Sequence, residues 1–339
     1  MRAHHLDLAA WPHCGPGLWH PGRLGGDVDQ RDPDPGRQHQ VRGLFRLGRA
    51  EGCRALRPGG ARHGHARPCA AVPIHPRADA RPRCAARGLP VPARGLMGEP
   101  AQAPLAVVRR RRDTAFLSEE VVAELIRPRP FAKERLIAER ARLTQEVGPL
   151  DLWEGYRDFA APEDSFKRSS NSVRTSHKYG RFYVQLARRF RPWTVVEIGT
   201  AFGVSGMYWL AGLAANRRGR LVTFDPNRQW QEIARANLAA ISPRFTAVAD
   251  TFEAGFEAAK IRFGRPGIAF IDGIHVGEIV KAQAELLLPR LAGRWILVFD
   301  DIRFNAGMYR CFREIEQAEG VVSAVEIESR VGIVEVEAG

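Results

Sequence analysis

Residues 1–96 of this 339-residue chain contain no serine, threonine, lysine, asparagine or tyrosine, and a single phenylalanine (Phe45) and isoleucine (Ile74). So few large apolar side chains cannot bury enough surface to offset the chain entropy lost on folding. Arginine, proline, glycine and alanine dominate the segment instead, which reads as a disordered low-complexity tail. Met97 offers a later start, so translated upstream sequence is a second reading of the same composition. Cysteine is scarce and forms no CxxC pair. His63, His65 and Cys69 lack the compact ligand pattern of a structural zinc site. Cys311 stands alone beyond the tail, which fits a reducing compartment. No apolar run reaches the roughly 18 residues needed to cross a bilayer, and no signal-peptide core follows Met1. These absences point to a cytoplasmic protein without a membrane partner.

The net charge of +13 is concentrated at the front. Residues 1–96 hold 16 Arg against 7 acids, and Arg109–Arg112 add four more cations. Residues 113–339 keep only +1. A nearly neutral folded part with no base-reading module argues against a nucleic-acid partner.

Beyond residue 112 the pattern is that of a folded chain. Ser118-Glu-Glu ahead of Val121, Val122, Leu125 and Ile126 predicts a helix with acids in its first turn, stopped by Pro128 and Pro130. Further helices are expected near 131–147 and 172–190. From residue 194 the rhythm changes. β-rich runs at Thr194–Ile198, Arg220–Phe224, Phe245–Ala249, Gly267–Ile271 and Trp295–Phe299 alternate with helical stretches near 204–216, 228–241, 252–262, 276–291 and 306–318. Such alternation predicts a parallel sheet with helices on both faces. Val321–Ile327 and Val331–Val336 are separated only by Glu328, Ser329 and Arg330, so they should pair as an antiparallel hairpin. The fold class is α/β: a Rossmann-like, doubly wound sheet of seven strands closed by that hairpin. The expected domains are a tail (1–96), a helical N-terminal region (97–190) and the sheet domain (191–339).

In such a sheet, ligands bind beyond the carboxyl ends of the strands. The first strand runs into Glu197-Ile-Gly199-Thr200-Ala-Phe-Gly203, whose glycines let the backbone turn tightly against a ligand before a helix starts. A plain strand-to-helix turn would use them too. The nicotinamide fingerprint G-x-G-x-x-G is not met, because Ala201 stands at its second glycine. Asp225 ends the second strand, placed to accept hydrogen bonds from ribose hydroxyls, or simply solvated beside Pro226. Asp250 ends the third, within reach of an adenine amino group or of water. The fourth ends in Asp272-Gly-Ile-His275 and the fifth in Asp300-Asp301. Clustered carboxylates repel unless protonated or bridged by a cation. Oxygen-only ligands favour Mg²⁺, which makes Asp272, Asp300 and Asp301 a candidate metal set. Helix capping would explain them without a metal. His275, neutral near pH 7, is the candidate base, with Asp272 beside it.

Taken together, these stretches resemble a known family. Glu197-Ile-Gly-Thr-Ala-Phe-Gly is similar to the first motif of class I S-adenosylmethionine-dependent methyltransferases. Phe270-Ile-Asp-Gly-Ile-His, Leu286-Leu-Leu-Pro and Val298-Phe-Asp-Asp-Ile resemble the O-methyltransferase branch that includes antibiotic-sugar O-methyltransferases, with catechol-type enzymes more distant. The likeness spans about 170–339. It implies an S-adenosylmethionine site at Glu197, Gly199, Thr200, Gly203 and Asp225, and a divalent metal on Asp272, Asp300 and Asp301. Ile274 departs from the acid or Asn that many relatives carry. The helix with His177, Lys178, Tyr179 and Arg181 is similar to the cover over the cofactor, although by itself it is an ordinary amphipathic helix. The implied reaction is O-methylation of a small-molecule hydroxyl. Methyl transfer to nitrogen or carbon, a nicotinamide oxidoreductase, non-catalytic nucleoside binding and homo-oligomer formation stay open at this point.

Residues 97–339 expressed alone should fold and bind the nucleoside as the full chain does, and the amides of residues 1–96 should exchange without protection. Loss of folding or binding on removing residues 1–96 would show that the tail is misread.

Overall fold

The computed structural model describes residues 103–159 and 166–338. The expected tail, with His63, His65 and Cys69, lies outside the described residues. Strand β1 (Val107–Arg111) comes first, then the two-stranded pair β2 (Leu150–Asp151) and β3 (Lys167–Arg168). Five parallel strands come next: β4 (Thr194–Ile198), β5 (Arg220–Phe224), β6 (Phe245–Val248), β7 (Gly267–Ile271) and β8 (Gly293–Phe299). The hairpin of β9 (Val321–Ile327) and β10 (Val331–Ala338) closes the chain. The large sheet has the order β1-β9-β10-β8-β7-β4-β5-β6, with β10 antiparallel to both of its neighbours.

The helices are α1 (Glu119–Leu125), α2 (Glu134–Glu146), α3 (Ser170–Val173), α4 (His177–Phe190), α5 (Val204–Ala215), α6 (Arg228–Ile241), α7 (Phe252–Gly255), α8 (Gly277–Leu287) and α9 (Ala306–Ile315). Local chemistry sets several starts. Ser118 accepts from the Val121 amide at 3.2 Å, Asn227 from Trp230 at 3.2 Å and Asn305 from Met308 at 2.9 Å, each satisfying an otherwise orphaned helical N–H. Alternation along the strands divides the core in two. Val195, Leu221, Ile268, Phe270, Ile296 and Val298 pack with α1, α4 and α5. Val196, Val222, Ala269, Ile271, Leu297 and Phe299 pack with α8 and α9. Residues 204–213 of α5 are buried all round, as expected of a helix enclosed by protein.

Three expectations need correction. The sheet has eight strands rather than seven, because β1 pairs antiparallel with β9, Arg110 opposite Val325 and Arg111 opposite Ala324. Two buried acids take up its arginines. Arg109 pairs with Glu316 and lies 3.8 Å from Glu326, both fully buried, and Arg111 donates to the Glu316 carbonyl. The helix expected over 172–190 is broken, since Arg174 is extended between α3 and α4. The helix expected over 252–262 stops at Gly255.

Arg109→Met should lower the unfolding free energy by about 1–3 kcal/mol, the scale of leaving a buried charge short of a partner. The loss should stay at that scale because Arg313 at 2.9 Å still serves Glu316 and Arg303 at 2.6 Å still serves Glu326. Urea denaturation measures it, and an unchanged midpoint would mean that β1 is decorative.

Candidate active site

The carboxyl ends of the parallel strands are stitched to one another by backbone hydrogen bonds. The amide of Gly199 donates to the Phe224 carbonyl at 3.0 Å, that of Asp272 to Ile198 at 2.9 Å and that of Asp300 to Ile271 at 3.1 Å. Gly199 has φ +98°, and a Cβ there would fall 2.0 Å from the Asp272 carbonyl oxygen. Only glycine lets the loop after β4 lie this close to the end of β7.

The loop is held from two sides. Asp225 accepts from the Ala201 amide at 2.7 Å and from Asn227 at 2.9 Å. Burial outweighs those two bonds and pushes its carboxyl up to about 6. Each oxygen keeps a lone pair for a further donor. Behind the loop, Glu197 is fully buried and accepts from Thr223 at 2.6 Å. Its other oxygen has no hydrogen-bond partner among the described residues. Burial raises Glu197 to about 8, against the opposing hydrogen bonds from Thr223 and Ser205. Thr200 is also buried and receives Gln231 at 3.2 Å. Glu197 and Thr200 therefore face the protein beneath the loop, while Asp225 lies beside it. Gly203, φ +81°, abuts Ala234 of α6. Asp250, just past the end of β6, is exposed and accepts from the Thr251 amide at 2.9 Å.

One strand further on, Asp272, His275 and Asp301 converge. His275 Nε2 lies 3.4 Å from Asp272 Oδ1 and 3.6 Å from Asp301 Oδ2. Among the described residues, these three offer ligand atoms within 4.8 Å of one another. Burial and the Asp300 charge raise Asp272 to about 7, with His275 opposing. Burial lowers the imidazole of His275, but the charges of Asp272, Asp301 and Asp300 outweigh it, and the net shift is upward.

Asp300, expected beside Asp272 and Asp301, is not among these converging ligand atoms. Arg330 holds both of its oxygens, Nε at 2.8 Å and Nη2 at 3.0 Å, and lies 3.3 Å from Asp301. The oxygen-only triad that would suit Mg²⁺ is thus not assembled, and the donors that do converge include an imidazole nitrogen. Asp272 and Asp301 are the two carboxylates that could hold a divalent ion here, with His275 as the third donor.

Arg330, Tyr179 and Glu328 complete the edge. The guanidinium of Arg330 sits 5.0 Å from the Tyr179 ring centre, and the Tyr179 hydroxyl donates to Glu328 at 2.7 Å. Lys178 pairs with the same Glu328. The helix expected as a cover, α4, lays Phe182, Tyr183 and Leu186 in the core and sends these polar groups to the hairpin turn. His177 and Arg181 turn the other way, to Glu134. In the sequence the turn Glu328-Ser-Arg330 reads only as a connector. Its position was nonetheless implied, because β9 must return to the edge where β8 ends.

Residues 196–302 match the family model described as a methyltransferase domain. The match runs from β4 to just past Asp301, and leaves out the hairpin turn that supplies Arg330. No curated protein matches the chain. Solved structures similar to it include the O-methyltransferase TomG of Streptomyces achromogenes, at 17% identity over 62% of this chain and 92% of that one, TM-score 0.45. Another is the O-methyltransferase of Bacillus cereus, at 17% identity over 62% and 92%, TM-score 0.44. A third is a methyltransferase of Geobacter sulfurreducens, at 19% identity over 65% and 98%, TM-score 0.41. No described helix is long and apolar enough to cross a membrane.

Glu197 gives the fold a testable pH dependence. Its folded pKa of about 8 lies above the ordinary 4.5. The stability contributed by the protonated side chain is therefore complete below about 4.5 and is lost as pH rises through about 8. The melting temperature of the wild type should fall over that window more steeply than that of Glu197→Gln. Parallel curves would show that Glu197 is ionised throughout.

Proposed function

We propose that this chain transfers a methyl group from S-adenosylmethionine to a hydroxyl oxygen of a small molecule. One observation carries the reading: within a single methyltransferase-domain stretch, a glycine loop pinned by Asp225 lies directly against the strand end that presents Asp272 and His275. When bound, the sulfonium supplies an activated methyl group. The protein's part is to hold the nucleoside, aim the acceptor and take its proton.

Asp225 has free lone pairs for the ribose hydroxyls, and the loop at Gly199–Gly203 keeps backbone close to the ligand. With Nε2 of His275 held by Asp272 and Asp301, its other ring nitrogen, Nδ1, takes the acceptor proton as the new C–O bond forms and the C–S bond breaks, the C–S electron pair leaving on sulfur as a neutral thioether. Asp272 and Asp301 stabilise the imidazolium that results. Arg330 neutralises Asp300, so a divalent ion is not needed to offset that charge. Transfer to oxygen is favoured over nitrogen or carbon because a neutral hydroxyl must lose a proton, and a base with two acidic partners is what stands here. We read the enzyme as cytoplasmic, with the buried, free Cys311 in keeping with reducing surroundings.

Calorimetry with S-adenosylmethionine and its demethylated product should show binding to the wild type. Asp225→Ala should weaken it by about 1–3 kcal/mol, the range for hydrogen bonds to a charged group. In a screen of hydroxylated acceptors, His275→Gln should lose roughly 10²–10⁴-fold in turnover with nucleoside binding intact. Binding of NADH in place of either sulfur nucleoside would overturn the reading, and full turnover by His275→Gln would remove the base.

A further inference from the structure

The edge of the sheet opposite the candidate active site has its own chemistry. The parallel strands begin there, so the segments that lead into β4, β5, β6 and β7 are neighbours. Residues 188–193 and 216–220 hold three arginines each, residues 242–244 hold one, and residues 258–267 hold Lys260, Arg262 and Arg265. These ten cations share their segments with no aspartate or glutamate. The segments are tied together. The Trp193 amide donates to Pro266 at 2.9 Å, Arg220 to Trp193 at 3.1 Å and Leu221 to Arg244 at 3.0 Å. Arg189 lies 3.7 Å from Glu124, but Arg188, Arg191, Arg217, Arg218, Arg220, Arg244, Arg262 and Arg265 have no carboxylate partner among the described residues.

At the centre stands Trp193, 40% exposed, with the guanidinium of Arg218 at 4.6 Å from its ring centre and that of Arg265 at 4.3 Å. A guanidinium stacked on indole can still present in-plane N–H groups in the fork geometry that matches phosphate; Arg218 gives Nη2 to the Arg191 carbonyl, while Arg265 is exposed. Four adjacent strands at about 4.8 Å spacing make the edge about 15 Å wide, enough to meet several phosphates.

We propose that this amino edge binds a nucleic-acid strand, with the Arg218–Trp193–Arg265 stack at its centre. A row of uncompensated cations is repelled by itself and relieved by a polyanion. A membrane surface is the weaker match. Interfacial binding needs an apolar face, and among the described residues Trp193 is the only exposed large apolar side chain in these segments. The near-neutral sum over residues 113–339 argued against such a partner, but that sum hides a segregation: acids gather at one edge and arginines at the other. Strands of five residues separate the two edges by about 17 Å, so the surface anchors the protein and does not deliver the methyl acceptor.

The test uses the full chain, so that the basic tail is the same in every sample. Fluorescence anisotropy of a labelled polyuridine oligonucleotide compares the wild type with Arg217→Glu/Arg265→Glu, two exposed positions that form no ion pair among the described residues. The double variant should melt like the wild type and bind at least about tenfold more weakly, and the slope of log affinity against log salt should flatten by about 0.7 for each phosphate no longer neutralised. Arg217→Lys/Arg265→Lys should keep most of the affinity. Equal binding by the wild type and the charge-reversed variant would overturn the proposal and assign the binding to the tail. Absence of oligonucleotide binding, with phosphatidylserine vesicles sedimenting the wild type but not the variant, would overturn it in favour of a membrane face.

Discussion

Parallel pairing in register is the constraint on which the rest depends. Val196 stands opposite Val222 and Ala269, and Ile198 opposite Phe224 and Ile271. The ladders leave no freedom to stagger the ends, so the loop leaving each strand meets the loops leaving its neighbours. Asp225, Asp272, Asp300 and Asp301 are gathered at one edge by this alone, and the arginines before β4 to β7 at the other. Helix dipoles favour the same sorting, because helices start at the acidic edge and end at the basic one. That preference is about 0.3–1 kcal/mol per charge, enough to bias a sequence and far too little to neutralise either edge.

The buried acids show how the protein resolves the resulting tension. Asp300 takes a bidentate guanidinium. Glu316 and Glu326 take arginines from β1, α9 and the loop before α9. Glu197 pairs with no cation among the described residues, and burial raises its pKa to about 8, which favours the protonated form. These are the two ways a low-dielectric site can hold a carboxyl group. Asp272 lies between them: it is raised by burial and by Asp300, but shares its field with His275. A group poised between protonated and ionised near neutral pH is suited to moving protons, whereas Asp300 with Arg330 is fixed.

Legibility in the sequence tracks the range of the interaction. Thr194–Ile198, Arg220–Phe224 and Gly267–Ile271 match their strands to the residue, because a buried parallel strand is a short apolar run between turn residues. The glycine loop is legible for the same local reason. Strand β1 is not. Val-Val-Arg-Arg-Arg reads as charge, and becomes a strand only because Glu316 and Glu326, some 200 positions later, need its arginines. Arg330 escapes a sequence reading because its meaning depends on where the hairpin returns. The basic edge escapes it because summing charge over a domain discards where each charge sits.

The hairpin turn also decides what kind of site the acid pair becomes. Asp300 and Asp301 are adjacent in sequence, yet they face different chemistry. Asp301, at φ +49°, turns its carboxylate toward His275, while Asp300 stays in the core and its Oδ1 accepts from the Asp301 amide at 2.9 Å. That leaves Asp300 oriented toward the turn, where Arg330 arrives with a fork of matching geometry. A guanidinium on the chain is always charged and needs no supply from solution. Arg330 gives Nε and Nη2 to Asp300 and lies 3.3 Å from Asp301, so one guanidinium serves both acids of the pair. On the proposed reaction the acceptor would be aimed by His275, and Phe304, whose ring centre lies 4.9 Å from that of the imidazole, frames the same position.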